Sequence, residues 1–157
     1  MSASASFIPA AGRFVPVRAY DAIVALSMRE QRWRPVTWSG GRAEAVPVPD
    51  ASQDAVVMAL VLHHLAPNEK TAALREVRRI LKPGGAFYLA DFARPQDPLM
   101  SVAFSIVQLA DRRTSTHQHR TGAVPGLLAD AGFGEPARLL RLRTPGGTFE
   151  ILRASAD

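Results

Sequence analysis

Asp54-Ala-Val-Val-Met-Ala-Leu-Val-Leu-His-His64, then Leu74-Arg-Glu-Val-Arg-Arg-Ile-Leu-Lys-Pro-Gly-Gly85, then Ala86-Phe-Tyr-Leu-Ala-Asp91 are the segments that decide how this chain folds. The apolar run from Ala55 to Leu62 is too short to span a bilayer and reads as a parallel strand buried on both faces. His63 and His64 close it. Pro67-Asn-Glu69 carries the signals of a helix start, and Ala73, Leu74, Val77, Ile80 and Leu81 recur at helical spacing to build one apolar face. Lys82-Pro-Gly-Gly85 stops that helix in a turn with proline second and glycine third. A second strand, Ala86 to Ala90, ends in Asp91. Strand, helix, turn and strand make a βαβ unit, so the fold class is α/β.

Working outward, residues before Val17 are a lead punctuated by proline and glycine, and Tyr20 to Arg32 reads as a helix with Tyr20, Ile23, Val24 and Met28 on one side. Pro35 ends it, and Val36-Thr-Trp38 is a short strand candidate stopped by Ser39-Gly-Gly41. Residues 1–35 thus form a lead and helix, and residues 36–157 the main domain. Downstream, Asp97-Pro98 opens a helix whose body, Leu99 to Ala110, is apolar on nearly all sides and is therefore expected to be buried or to face an apolar ligand. His117 and His119 stand in a polar stretch with Arg112, Arg113 and Arg120, which reads as a loop. A short helix, Val124 to Ala131, stops at Gly132. Pro136 to Arg143 and Thr148 to Arg153 flank Thr144-Pro-Gly-Gly147 and make an antiparallel hairpin.

The chain carries 19 basic and 14 acidic residues, a net charge of +5, and no cysteine, which excludes disulfides, thiolate metal sites and a cysteine nucleophile. Its arginines are scattered over separate elements, so nucleic-acid binding is not expected. The first residues show neither a basic leader nor a sustained apolar core, which points to a cytoplasmic protein without a membrane anchor.

The segments from Asp54 to His64 and from Leu74 to Asp91, with Gly41-Arg-Ala-Glu-Ala-Val-Pro-Val-Pro-Asp50 before them and Leu127-Leu-Ala-Asp-Ala-Gly-Phe133 after them, resemble the class I S-adenosylmethionine-dependent methyltransferases. The likeness is greatest to small-molecule enzymes of the ubiquinone/menaquinone type. It implies a three-layer, Rossmann-like sheet of strand order 3-2-1-4-5-7-6 that ends in an antiparallel hairpin. It also implies S-adenosylmethionine as methyl donor and a small apolar or aromatic acceptor as substrate. By position, Arg42 and Ala43 would meet the adenine, and Met58, Ala59 and Leu60 would border the methionine part. Phe92, Met100, Phe104 and Val107 would line the acceptor pocket. His63 and His64 lie past the carboxyl end of a central strand, where open α/β sheets put their ligands, and one of them is a candidate general base. The competing reading is a histidine packed under the following loop. No metal is expected, because adjacent residues point apart and no carboxylate cluster joins the pair; the His117, His119 pair lacks a third ligand.

The chain departs from the family at one place. No glycine follows an apolar strand into a helix, and no second strand ends in the acid that would take the ribose hydroxyls. The sheet is therefore expected to be truncated, with its early strands missing and with weak cofactor affinity. Two functions follow: methyl transfer, or a catalytically deficient remnant that serves as an interaction module or needs a partner chain. The unpaired edge of the Asp54 strand is expected either to take Val36-Thr-Trp38 or to pair with a second copy in a homodimer.

Overall fold

A computed structural model describes residues 40–111 and 113–156. The helix expected at Tyr20 to Arg32 and the strand expected at Val36 to Trp38 lie outside the described residues, as does any pairing between that strand and the rest. Residues 40–156 belong to one compact unit. Strand β1 (Gln53–Ala59) leads through a single 3-10 turn (Leu62–His64) into helix α1 (Pro67–Ile80) and strand β2 (Leu81–Phe92). Helices α2 (Pro98–Ala110), α3 (Arg113–Thr121) and α4 (Val124–Asp130) follow, and the hairpin of β3 (Ala137–Thr144) and β4 (Gly147–Ser155) closes the chain. The four strands lie in the order β1-β2-β4-β3. β1 and β2 are parallel, while β4 runs antiparallel to both β2 and β3. Among the described residues this is the 4-5-7-6 half of the order that the resemblance implies, and the fold class is the α/β one that was expected.

The βαβ unit forms where the pattern put it. Ala73, Leu74, Val77, Ile80 and Leu81 are all buried. The Glu69 carboxylate accepts the Ala66 N–H at 2.9 Å, which satisfies one amide that the helix start would otherwise leave unpaired. Gly84 takes φ +75°, the positive value that the third residue of such a turn needs. Gly85 is held for a different reason: a Cβ there would come within 2.9 Å of the Lys82 carbonyl oxygen and 3.2 Å of that of Asp54. The turn is thus pressed against the start of β1, where the pairing slips between Gln53 and Ala55. On one face of the sheet Phe87, Leu89, Leu152 and Ala154 pack with α1 and α4, and Phe133 lies 5.4 Å from Phe87, ring to ring. Arg79 clamps the preceding segment onto α1. Its guanidinium donates to the carbonyls of Val46 and Val48 at 3.1 and 3.0 Å and to Glu76, and it also grips Asp50. The Arg79 hydrogen bond holds the Glu76 carboxyl down to about 2.

Three expectations need correction. β1 is not buried on both faces: Met58 enters the core, whereas Val57 is 70% exposed, because among the described residues nothing covers that face. Helix α2 is not buried all round either. Met100 and Phe104 pack inward, but Leu99, Val102, Ile106 and Leu109 form an exposed stripe. The polar stretch around His117 is not a loop but helix α3, with Ser115, Thr116 and His119 fully or nearly buried. Its buried face is polar, so hydrophobic periodicity has nothing to detect. The Gln108 amide reaches Thr116 Oγ1 at 3.1 Å, and the Lys70 ammonium bonds the Ser115 carbonyl.

Gly85→Ala is expected to cost about 1–3 kcal/mol through overpacking against fixed backbone. Urea unfolding checks this, and an unchanged midpoint would contradict the close approach.

Candidate active site

The site forms where the parallel strands end. Leu60 leaves β1 with φ +54°, and its N–H still bonds the Ala90 carbonyl at 2.9 Å, so the chain turns sharply into the 3-10 turn just above the end of β2. That brings His63 onto Asp91. The Asp91 carboxylate accepts the His63 Nδ1–H at 2.6 Å, the His63 backbone N–H at 3.2 Å and the Phe92 N–H at 2.7 Å. Both side chains are almost wholly buried, at 3% and 2% exposure. Burial alone would push the Asp91 carboxyl up; the hydrogen bonds it accepts, that from His63 foremost and with the Phe92 N–H besides, help to hold it below the usual range.

His64 lies beside His63, ring centroids 3.9 Å apart, and its side chain is 33% exposed. The backbone here is a 3-10 turn, which rotates successive side chains by about 120° instead of the near-180° of a strand. Both rings therefore address one carboxylate. Asp111, at the carboxyl end of α2, puts its oxygens 3.6 Å from His63 Nε2 and 3.4 Å from His64 Nδ1. The sequence argument against a joint site was that neighbours point apart and that no carboxylate cluster joins them; here the single carboxylate of Asp111 lies within 4 Å of both rings.

Beneath this layer sit two buried polar side chains: Lys70, which the sequence reading did not single out, and His119, which it placed in a loop and weighed only as a metal ligand. Lys70 is fully buried on α1 and donates to the Leu65 carbonyl at 3.0 Å. Burial pushes its ammonium down to about 8, against the upward pull of Asp91. His119 on α3 is fully buried, with Nε2 3.9 Å from Asp91 Oδ2 and no hydrogen-bond partner on either ring nitrogen. Burial lowers its pKa to about 4, so the ring is neutral near pH 7. Lys70 sits one helical turn before Leu74 on the apolar face, a position that periodicity assigns to solvent because of its charge.

The residues expected around the site are spread out. Ala59 and Leu60 are exposed at the end of β1, and Ala43 packs against the core cluster nearby, while Met58 lies inside that cluster. The Arg42 guanidinium is taken up by Glu44, with Glu69 3.7 Å away. Among the acceptor-pocket candidates, Phe92 packs edge-on to His63 at 4.9 Å and lines a cavity of about 450 Å³. Met100 and Phe104 are buried and Val107 half-buried between α2 and the hairpin, where Gly146 and Gly147 leave room for Phe92, Val107 and Phe104. Besides Phe92, the cavity is bounded by Asp91, Arg94, His119, Val124, Pro125, Arg138 and Arg141. Glu150 pairs with both Arg138 and Arg141 at 3.1 Å.

A half-sheet of order β1-β2-β4-β3 with ionisable groups gathered at the carboxyl ends of its parallel strands is the ligand-binding end of an open α/β domain. The sequence model of the methyltransferase domain family matches residues 6–89, more than half of the chain, and the protein belongs to that family. The ubiquinone/menaquinone biosynthesis C-methyltransferase of Caulobacter vibrioides is 37% identical over 86 residues, which are 54% of this chain and 33% of that enzyme. The enzyme of the same name from Caulobacter sp. is 41% identical over 69 residues, 44% of this chain and 27% of its own length. The chain thus spans about a third of the length of these curated relatives. Among solved structures, an S-adenosylmethionine-dependent methyltransferase from Thermotoga maritima, described as a possible histamine N-methyltransferase, superimposes with a TM-score of 0.62 at 22% identity, covering 85% of this chain and 69% of that one. Human N-acetylserotonin methyltransferase, solved with S-adenosylmethionine, gives 0.53 at 24% identity over 80% of this chain and 36% of its own. At these identities the likeness establishes the fold.

Because the folded state lowers the Lys70 pKa from 10.5 to about 8, the unfolded chain holds a proton between those values that the folded chain has released. Stability contributed at Lys70 therefore rises with pH over that window. The stability of the wild type relative to Lys70→Met, read from urea midpoints, should climb from pH 8 towards pH 10.5. Parallel pH curves would contradict the buried ammonium.

Proposed function

We propose that this protein transfers a methyl group from S-adenosylmethionine to a small apolar or aromatic acceptor. Membership of the methyltransferase domain family supports the reading, and the observation that carries it is the position of the histidine pair. His63, pinned by Asp91, sets the 3-10 turn, and His64 stands beside it, a third exposed, past the end of β1. His64 is then the group that takes a proton from the acceptor, and His63 is a positioning residue, too buried to touch a substrate. The Phe92 ring, shared between His63 and the cavity, offers the surface on which an aromatic acceptor stacks.

The residues present fit one wall of a cofactor site. Ala59 and Leu60 are exposed where the strand backbone would border the methionine part, and the positive φ of Leu60 turns the chain away and leaves that backbone accessible. Bound there, the cofactor supplies an electrophilic methyl on a sulfonium that is already a good leaving group, so positioning does most of the work. The glycine turn and ribose acid that would make the other wall are absent from the sequence. Each lost contact costs on the order of 1–3 kcal/mol, so several move a micromolar binder towards millimolar.

Two measurements follow. Calorimetric titration of the full chain is expected to give S-adenosylmethionine a dissociation constant near ~1 mM, and a micromolar value would contradict the single-wall site. At cofactor concentrations that saturate binding, His64→Ala is expected to lower turnover about a hundredfold with folding intact. Absence of methyl transfer in the wild type, or an unchanged rate in the variant, would overturn the reading.

A further inference from the structure

We propose that His63 Nε2, His64 Nδ1 and the Asp111 carboxylate hold a first-row divalent cation. Asp91 accepts the Nδ1–H of His63, which leaves the lone pair on Nε2. That lone pair faces an Asp111 oxygen at 3.6 Å, and His64 Nδ1 faces the other oxygen at 3.4 Å. A hydrogen bond across either gap would draw the atoms to about 2.7–3.2 Å. The observed separations are too long for hydrogen bonds. They leave a gap between the two rings and the carboxylate into which a small ion with metal bonds of about 2.0–2.2 Å could draw one atom from each residue. The donor atoms of all three residues lie within 4.8 Å of one another.

The surroundings agree with the donors. Metal-bound histidines almost always give their other ring N–H to a carboxylate, a backbone carbonyl or water, which fixes the tautomer and strengthens the ligand, and Asp91 does this for His63. The Phe92 edge at 4.9 Å walls the site on one side. His64 and Asp111 remain partly open to solvent, at 33% and 18% exposure, so an ion has an entry path and an outward position. Two imidazoles and one carboxylate with that open position suit Zn2+ and its first-row neighbours better than Mg2+ or Ca2+, which prefer oxygen donors. The site is the one to which methyl transfer is assigned above, and the inference rests on that reading only for its use. With the ion in place His64 would be a ligand through Nδ1, so the proton transfer assigned to it above belongs to the metal-free chain.

The test is calorimetric titration of the chelator-treated full chain with Zn2+ in the absence of S-adenosylmethionine, repeated with Co2+ for its visible absorption. One ion per chain is expected, with a dissociation constant of ~10 µM or tighter, and a Co2+ spectrum of low, tetrahedral coordination number. Asp111→Ala and His64→Ala, both at partly exposed positions, should each weaken binding at least about tenfold, whereas His117→Ala, an exposed histidine on α3, should not change it. No binding, binding indifferent to Asp111→Ala, or binding lost in His117→Ala would overturn the proposal. Zinc binding without methyl transfer would leave it standing and sink the reaction; methyl transfer by a chain that takes up no metal would do the reverse.

Discussion

The contact between Asp91 and His63 joins the ends of the two parallel strands, and the local structure of the site depends on it. One carboxylate receives a side-chain N–H and two backbone N–H groups, one from its own strand and one from the turn after β1. Buried this deeply, an unpaired carboxylate is costly, and breaking such a pair removes far more than forming it adds. The strands therefore end in a fixed relation, and the 3-10 turn between Leu62 and His64 has one orientation. His64 and Asp111 inherit their positions from that turn.

Around this pair lies a polar layer inside an apolar sandwich. Lys70, Ser115, Thr116 and His119 are buried between α1 and α3, and Gln108 and Arg120 tie α2 to α3, with Arg120 donating to Gln108 at 2.9 Å and to Ser101 at 2.9 Å. Such a layer adds little net stability, since each bond replaces one to water. Its effect is on geometry. α3 is held by directional bonds, so His119 sits beside Asp91 and lines the cavity. The apolar residues of α2 point two ways, and its outer stripe stays exposed.

The fold was legible wherever burial and periodicity agree. The apolar face of α1, the Lys82 to Gly85 turn and the β3–β4 hairpin all carry their own local signal, and the family pattern supplied the strand order that such signals cannot. The strand β1 was legible as a strand but not in its burial: an apolar run of this length predicts two covered faces, and only the structure shows Val57 and Ala59 uncovered. The site was half legible. His63 and His64 stood out because they follow a central strand, but Asp111 is 47 residues beyond His64 in sequence and reaches it only through the packing of α2. The burial of Lys70, Thr116 and His119 was invisible for a simpler reason. Polar residues on a buried helix face break the hydrophobic pattern that sequence reading uses to find the face.

The tautomer of His63 tests the account most directly, because the turn, the proton acceptor and the proposed ion all depend on Asp91 holding Nδ1–H. Long-range proton–nitrogen correlation NMR on the chelator-treated protein reads it. The account predicts that His63 carries its proton on Nδ1 and that Nε2 shows the shift of a bare imidazole nitrogen, with Asp91→Asn disturbing that preference. A His63 proton resident on Nε2, or a ring averaging freely between tautomers, would contradict it.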